Sequence, residues 1–449
     1  MMNQQIVFMI KVQNYTNEYI RHKKFIAHTI ASLLDGVFAF IIYDKETNDL
    51  FVGRDPIGIR PLFYGTRSDG FSFSSEAKSL ESTCSAINPF LPGHIAHINH
   101  DNNIRSFDIL PYYEFKYNLP YFQESEHDIT YQIRNLLVDS VKKRLMSERP
   151  LGIFLSGGLD SSIIGAITAQ CRSNIDSFAV GFNDSPDIEA AKKVAKALKT
   201  NHHSVEFSLD DGINVLHDVI KQLETYDITT IRASTPQYLL SKYINEKTDI
   251  RVLLSGEGAD ELFGGYLYFH YAPNEIEFQD ETIRLMKQLY QYDVLRTDRT
   301  TAGNGLEVRV PFLDKKFIDF VLNLHPKYKK PNMDEGKIEK YILRKAFENM
   351  LPKDIVWRKK DAFSDACGYG WVPHIKKYAE SQITDLQLEN AKELFAFNTP
   401  TTKEGYLYRQ IFESYYPNKS HWIPDIWRPN QDWVEEKEPS ATSLSIFNQ

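Results

Sequence analysis

Leu151-Gly152-Ile153-Phe154-Leu155-Ser156-Gly157-Gly158-Leu159-Asp160-Ser161-Ser162 passes from a strand-sized apolar block through two glycines into a helix predicted over Ser161 to Gln170. Small residues at such a turn let backbone N–H groups point inward, and the start of the helix adds partial positive charge. A phosphate-sized anion is therefore expected at Ser156, Gly157 and Gly158. No Lys follows in the GxxxxGK(S/T) arrangement, so this is not the loop that hands on a γ-phosphate. The bland alternative is a tight strand-to-helix turn with glycines for steric reasons.

Outward from that turn the same texture repeats. Ser177 to Val180, Ser204 to Phe207 and Arg251 to Leu254 read as further buried strands. Between the first two, Ile188, Ala191, Val194, Ala195 and Leu198 share one helical face. Ile213, Leu216, Val219, Ile220 and Leu223 repeat that spacing. Consecutive βα units predict a doubly wound parallel sheet, whose ligands bind beyond the carboxyl ends of the strands. Helical patterns are expected from Asp280 onward, as in Thr282 to Tyr292 and Ile338 to Phe347, and Asp432 to Gln449 reads as a polar tail. Upstream, Val37 to Tyr43, Asp49 to Val52, Leu62 to Tyr64 and Phe71 to Phe73 are short strands between turn residues, a β meander expected to form an antiparallel sheet. The change of texture lies between Tyr113 and Asp128. It sets two domains, residues 1–120 and 121–449.

The 449-residue chain carries 52 basic and 60 acidic residues, a net charge of −8, which argues against a nucleic-acid clamp or a polybasic membrane binder. Cys84, Cys171 and Cys367 stand far apart without CxxC spacing and read as buried thiols in a reducing compartment. No apolar run reaches the ~20 residues of a membrane span, and Met1 to Arg21 lacks a secretory pattern, so a cytoplasmic protein is expected. His202 and His203 alternate along a strand, which points the rings to opposite faces and argues against a shared metal.

SGGLDSS resembles the pyrophosphate loop of ATP pyrophosphatases. Phe178 to Phe182 (FAVGF), Glu224 to Asp227 (ETYD), Thr230 to Pro236 (TIRASTP), Ser255 to Glu261 (SGEGADE), Gly305 to Asp314 (GLEVRVPFLD) and Trp357 to Lys360 (WRKK) follow in the order found in asparagine synthetases of the glutamine-dependent type. The resemblance implies that an aspartate carboxylate attacks the α-phosphate of ATP, that pyrophosphate leaves, and that ammonia captures β-aspartyl-AMP. It implies nucleotide contacts at Leu155, Ser156, Gly157, Gly158, Asp160, Ser161, Ser162, Val180, Ser255 and Gly256. Lys360 would clamp charge on the leaving pyrophosphate, and Glu257 would be the base that deprotonates the attacking ammonia. Carboxylates beside a polyphosphate need a cation between them, so Asp160 and Asp260 are expected Mg²⁺ ligands. The alternative for Asp260 and Glu261 is helix capping or solvent. Arg232 and Arg309 are candidates for the carboxylates of aspartate; the alternative for them is a structural ion pair, for instance with Glu307 or Asp314.

Phe51 to Tyr64 (FVGRDPIGIRPLFY) resembles the later part of a class II glutamine amidotransferase domain of αββα type, whose mature chain begins with a nucleophilic Cys. This chain begins Met1-Met2-Asn3, and the arginine-bearing RHRGPD and glutamine-binding NGEIYN segments are missing. Glutamine hydrolysis is accordingly expected to be absent and free ammonia to be the nitrogen source. Ile6 to Ile10 are expected to cover an otherwise exposed sheet face, unless a homodimer partner or a separate glutaminase does so. Ser364-Asp365-Ala366 carries Ala where the family usually has Gly, a modest strain if that backbone needs a positive φ. The rival readings are a β-lactam synthetase-like ligase, which carries Tyr in place of Glu257, and a non-catalytic regulator.

Overall fold

The computed structural model describes residues 28–99, 107–117, 124–182, 185–358, 367–368 and 370–434, in two units, Met1–Phe115 and Lys116–Gln449. Ile6 to Ile10, Lys359, Lys360, Ser364 to Ala366 and the end of the polar tail lie outside the described residues.

In the first unit the strands are β1 (Ala39–Asp44), β2 (Asp49–Arg54), β3 (Phe63–Arg67), β4 (Gly70–Ser74), β5 (Ala86–Pro89), β6 (His94–Asn99) and β7 (Ile109–Pro111). They do not make the single meander expected. β2 pairs with β6 rather than with β3, so one sheet has the order β1-β2-β6-β7 and a second has the order β4-β3-β5, all antiparallel. The cause is the turn after β2. Asp55 is buried there and its carboxylate accepts the backbone N–H groups of Ile57, Gly58, Ile59 and Arg60. Burial pushes the Asp55 carboxyl up, while those N–H groups and Arg54 pull it back. Arg54 in turn donates to the carbonyls of Arg60, Phe90 and Gly58. The GRDPIGIRP stretch is thus a folded nest of backbone bonds that redirects the chain into the second sheet.

The second unit holds the parallel sheet. Its strands are β8 (Leu151–Phe154), β9 (Asp176–Phe182), β10 (Asn201–Phe207), β11 (Val252–Leu254) and β12 (Glu307–Arg309), in the order β10-β9-β8-β11-β12. All four pairings are parallel. The order reverses between β8 and β11, where a doubly wound sheet opens its ligand crevice. Val252, Leu253 and Leu254 are all buried, as expected of a strand covered on both faces.

The helices are α1 (Glu126–Lys143), α2 (Leu159–Cys171), α3 (Pro186–Leu198), α4 (Leu209–Asn214), α5 (Leu216–Leu223), α6 (Ile228–Lys247), α7 (Ala259–Phe263), α8 (Glu275–Gln288), α9 (Asp293–Ala302), α10 (Lys315–Leu322), α11 (Tyr341–Phe347), α12 (Trp371–Gln382) and α13 (Lys403–Tyr415), with shorter turns between some of them. Two departures from expectation have local causes. The face carrying Ile213, Leu216, Val219, Ile220 and Leu223 is split between two helices, α4 ending at Asn214 and α5 beginning at Leu216, with Val215 between them at φ −95° and ψ 0°. The helix expected over Thr282 to Tyr292 begins at Glu275, where Asn274 caps it by accepting from the N–H groups of Ile276 and Glu277. Cys84 and Cys367 are buried as expected, but Cys171 is exposed, since it is the last residue of α2.

α6 is buried along most of its length although Pro236 lies inside it. Proline has no N–H, which leaves the carbonyl of Arg232 one turn earlier without its helical donor. The indole N–H of Trp371 on α12 fills that place at 2.9 Å. At its start, Asp227 accepts from the N–H of Thr230 at 2.8 Å and, with its other oxygen, from the N–H of Trp427 at 2.8 Å. The C-terminal segment is thereby pinned to the helix that borders the crevice.

Candidate active site

The turn after β8 and the turn after β11 face each other at the switch point. Gly157 has a φ of +75°, and a Cβ there would stand 2.5 Å from the backbone of Ala190 and Ala191 on α3. No side chain fits that position. Gly256 is constrained differently: a Cβ on it would lie 2.8 Å from the N of Ser161 and 2.9 Å from the backbone carbon of Asp160. The SGEG turn therefore rests directly on the N-terminus of α2. Within the first loop the Ser156 and Ser161 hydroxyls are 3.0 Å apart, and the N–H of Gly158 donates to Ser156 Oγ at 3.3 Å. α2 has no side-chain cap, and its Ser162 hydroxyl is buried without a partner.

A cavity of about 220 Å³ opens between the loops. Its wall includes Leu155, Ser156, Gly158, Asp160, Ser161, Val180, Ser255, Gly256, Glu257 and Asp260, ten of the positions read from the sequence. Gly157 and Ser162 stand behind the wall rather than on it. Lys360 lies outside the described residues.

Glu257 accepts from Arg296 Nη2 at 2.7 Å, and Asp293 shares the same nitrogen at 2.7 Å. Arg296 also donates to Gln237 on α6. Burial pushes the Glu257 carboxyl up from its ordinary value; Arg296 pulls it back, and the charge of Asp293 adds to the rise. A carboxylate made more basic in this way suits a proton acceptor at neutral pH. Glu261, for which helix capping or solvent was the alternative, is 3% exposed and lies on the cavity wall. Burial and the neighbouring charges of Asp293 and Asp260 push its carboxyl up to about 8, and the Tyr266 hydroxyl donates to it at 2.5 Å.

Asp160 and Asp260 stand side by side. Lys340 Nζ sits 2.6 Å from Asp160 Oδ2 and 2.7 Å from Asp260 Oδ1, so the two carboxylates are close enough to share one cation. Asp160 Oδ1 is buried with no hydrogen-bond partner, which leaves it available to a ligand. Among the described residues no group of three or more His, Cys, Asp or Glu side chains is placed to hold a metal. Two carboxylates fit Mg²⁺, which completes its octahedron with phosphate oxygens and water.

The two arginines assigned to aspartate are not brought to this cavity. Arg232 is 3% exposed and its Nε and Nη2 bond both oxygens of Glu404 on α13, at 2.8 and 2.5 Å. Arg309 Nε bonds Glu307 at 2.7 Å, and its Nη1 donates to the carbonyls of Arg144 and Met146. Glu307 is thus one of the two acids weighed for an ion pair; Asp314 instead pairs with Arg144 at 3.0 Å and caps α10. In ETYD, Glu224 bonds Arg299 at 3.1 Å in a buried pair. The cations on the cavity wall are Arg296, Lys340, Arg344 and Arg358. The sequence reading gave none of these a role. Arg358, whose guanidinium lies 2.9 Å from Asp187, was the one within a quoted motif.

A family model for asparagine synthase matches residues 132–279 and 273–441, and one described as a glutamine amidotransferase domain matches residues 21–103. The glutamine-hydrolysing asparagine synthetase of Gallus gallus is 44% identical over 448 residues, covering 93% of this chain and 79% of the relative. That of Homo sapiens is 42% identical over 471 residues, covering 98% and 83%. Among solved structures, the NMN synthetase of Francisella tularensis covers 69% of this chain and 100% of its own at 12% identity, with a TM-score of 0.29, too slight a likeness to argue from. The switch-point loops, the paired aspartates and these matches over most of the length agree: the chain belongs to the asparagine synthetase family.

Proposed function

We propose that the second unit makes asparagine from aspartate, ATP and ammonia in two steps. In the first, an oxygen of the aspartate side chain bonds to the α-phosphorus, the bond to the β-phosphate oxygen breaks, and pyrophosphate leaves. In the second, ammonia bonds to the acyl carbon, AMP leaves, and a proton passes from nitrogen to Glu257. The observation that carries this reading is the meeting of the Ser156–Gly158 turn, Asp160, Asp260 and Glu257 around one cavity at the switch point. Backbone N–H groups of the turn and the start of α2 meet the charge that grows on the leaving diphosphate. Mg²⁺, held by Asp160 and Asp260, would supply further positive charge there. Lys360 is assigned to the same charge on its motif position. Arg296 fixes the rotamer of Glu257 and keeps its carboxylate aimed into the cavity.

Purified protein given Mg-ATP, aspartate and ammonium is expected to yield AMP, pyrophosphate and asparagine in equal amounts, and to exchange labelled pyrophosphate into ATP only when aspartate is present. ADP as the nucleotide product refutes the reading. Exchange without aspartate removes aspartate as the adenylated acid. The same assay reads the nitrogen donor: asparagine formed from glutamine in ammonia-free buffer overturns ammonium as the direct source.

A further inference from the structure

The seat between Asp160 and Asp260 is already filled, by a side chain of the protein itself. Three features place the Lys340 ammonium there. Its backbone is in the left-handed region, with a φ of 57°, at the residue before α11; a non-glycine residue adopts that conformation at a cost of about 1 kcal/mol or more. Its stem runs through a slot that exists because residue 265 is glycine. A Cβ there would stand 2.0 Å from Lys340 Cε and 2.9 Å from Nζ. Its Nζ then bonds one oxygen of each aspartate, with the side chain 1% exposed. A surface lysine would not be so confined by backbone, slot and two acids at once.

We propose that Lys340 is a tethered counter-ion that occupies the cation seat of the resting enzyme, keeps free divalent metal out, and yields the seat only when metal arrives with a polyphosphate. The inference rests on the nucleotide reading of this cavity and adds to it an order of events. The two aspartates carry two negative charges and Lys340 cancels one, so a bare divalent ion entering beside the ammonium would turn the charge of that three-residue cluster from negative to positive. A metal–polyphosphate complex brings its own negative charge. Its oxygens give the displaced ammonium a new partner, and the aspartates are freed for the metal. Such a device prevents the acids from being locked by free metal with no substrate present.

The test measures metal binding without turnover. The full chain, with no nucleotide or aspartate, is titrated with Mn²⁺ and free Mn²⁺ is read by electron paramagnetic resonance. The parent protein is expected to bind no Mn²⁺ at the loop site below millimolar concentration, and to bind one when inorganic pyrophosphate is added. Lys340→Met and Lys340→Ala are expected to bind one Mn²⁺ with no pyrophosphate, at least tenfold more tightly than the parent, and Lys340→Met/Asp160→Asn is expected to lose that gain. Tight Mn²⁺ binding by the parent alone overturns the proposal with no variant required. So does a folded Lys340→Met, judged by near-ultraviolet circular dichroism, that gains no affinity. Failure of the asparagine reading would show separately, as a parent enzyme that makes no AMP.

Discussion

Arg232 is the residue for which a substrate role and a structural role predict opposite experiments. Its guanidinium and the Glu404 carboxylate form a two-pronged pair, each residue 3% exposed, and the Tyr408 hydroxyl adds a third bond to Glu404 at 2.9 Å. Arg232→Met leaves a buried carboxylate with that one hydroxyl as donor. Removing one member of such a pair costs about 3–5 kcal/mol, because the remaining charge stays out of water without compensation. Glu404→Gln keeps the shape but strands the guanidinium, and a loss of similar order is expected. Replacing both, as Arg232→Met with Glu404→Leu, removes the stranded charge, so the double variant should lose clearly less than the sum of the single losses. The bond from the Trp371 indole N–H is accepted by the backbone carbonyl of residue 232, so none of these side-chain changes removes either partner. Urea unfolding followed by tryptophan fluorescence gives the free energies, and aspartate-dependent pyrophosphate exchange gives the KM for aspartate. The reasoning is refuted if Arg232→Met unfolds within about 1 kcal/mol of the parent while the aspartate KM rises tenfold or more, for the side chain would then be holding substrate and not α13.

Glu257→Gln is expected to exchange pyrophosphate at the parent rate and to form asparagine roughly 10²–10⁴-fold more slowly, the usual worth of a positioned base; unchanged asparagine formation would take the base role from Glu257. Lys329 offers a pH test remote from the cavity. It is fully buried, its ammonium bonding Gln279 Oε1 and the Val321 carbonyl, and burial lowers its pKa from 10.5 to about 7. Between those values the unfolded chain holds a proton that the folded chain lacks, so folding stability falls as the pH is lowered from 10.5 towards 7 and levels off below. The slope is about 1.4 kcal/mol per pH unit for one proton. Lys329→Met should remove that slope, seen as a difference in urea midpoints between pH 7 and 9.5, and a parallel pH dependence in the two proteins would show that Lys329 is charged in the folded state.

The parallel sheet and the loop positions were legible because both depend on local pattern. Apolar blocks such as Val252 to Leu254 and glycines at fixed offsets report a buried strand and a close backbone approach wherever they occur. Charge partners are another matter. Arg232 and Glu404 stand 172 residues apart, and no spacing rule selects Glu404 over any other acid. Lys340 went unread for the same reason, since a lysine before a helix carries no signal until the slot at Gly265 is seen across from it. The split of the first unit into two sheets was missed because strand patterns tell which face is buried but not which neighbour is chosen. Val52 opposes Ala96 across 44 positions of chain, and the turn built on Asp55 decides it.

The pinning of Trp427 to Asp227 has a consequence for how damage spreads in this molecule. The Tyr226 hydroxyl also reaches the carbonyl of Ser420, and the Asn398 side chain donates both to that hydroxyl and to the carbonyl of Ile423, so the stretch around 398–427 is tied to itself and to Tyr226 and Asp227, just ahead of α6. Trp427 itself forms part of the cavity wall. A nonsense codon near residue 400 would therefore do more than trim a dispensable end: it would take Glu404 from Arg232 and Trp427 from the cavity wall in one stroke, so that the fold and the site would fail together.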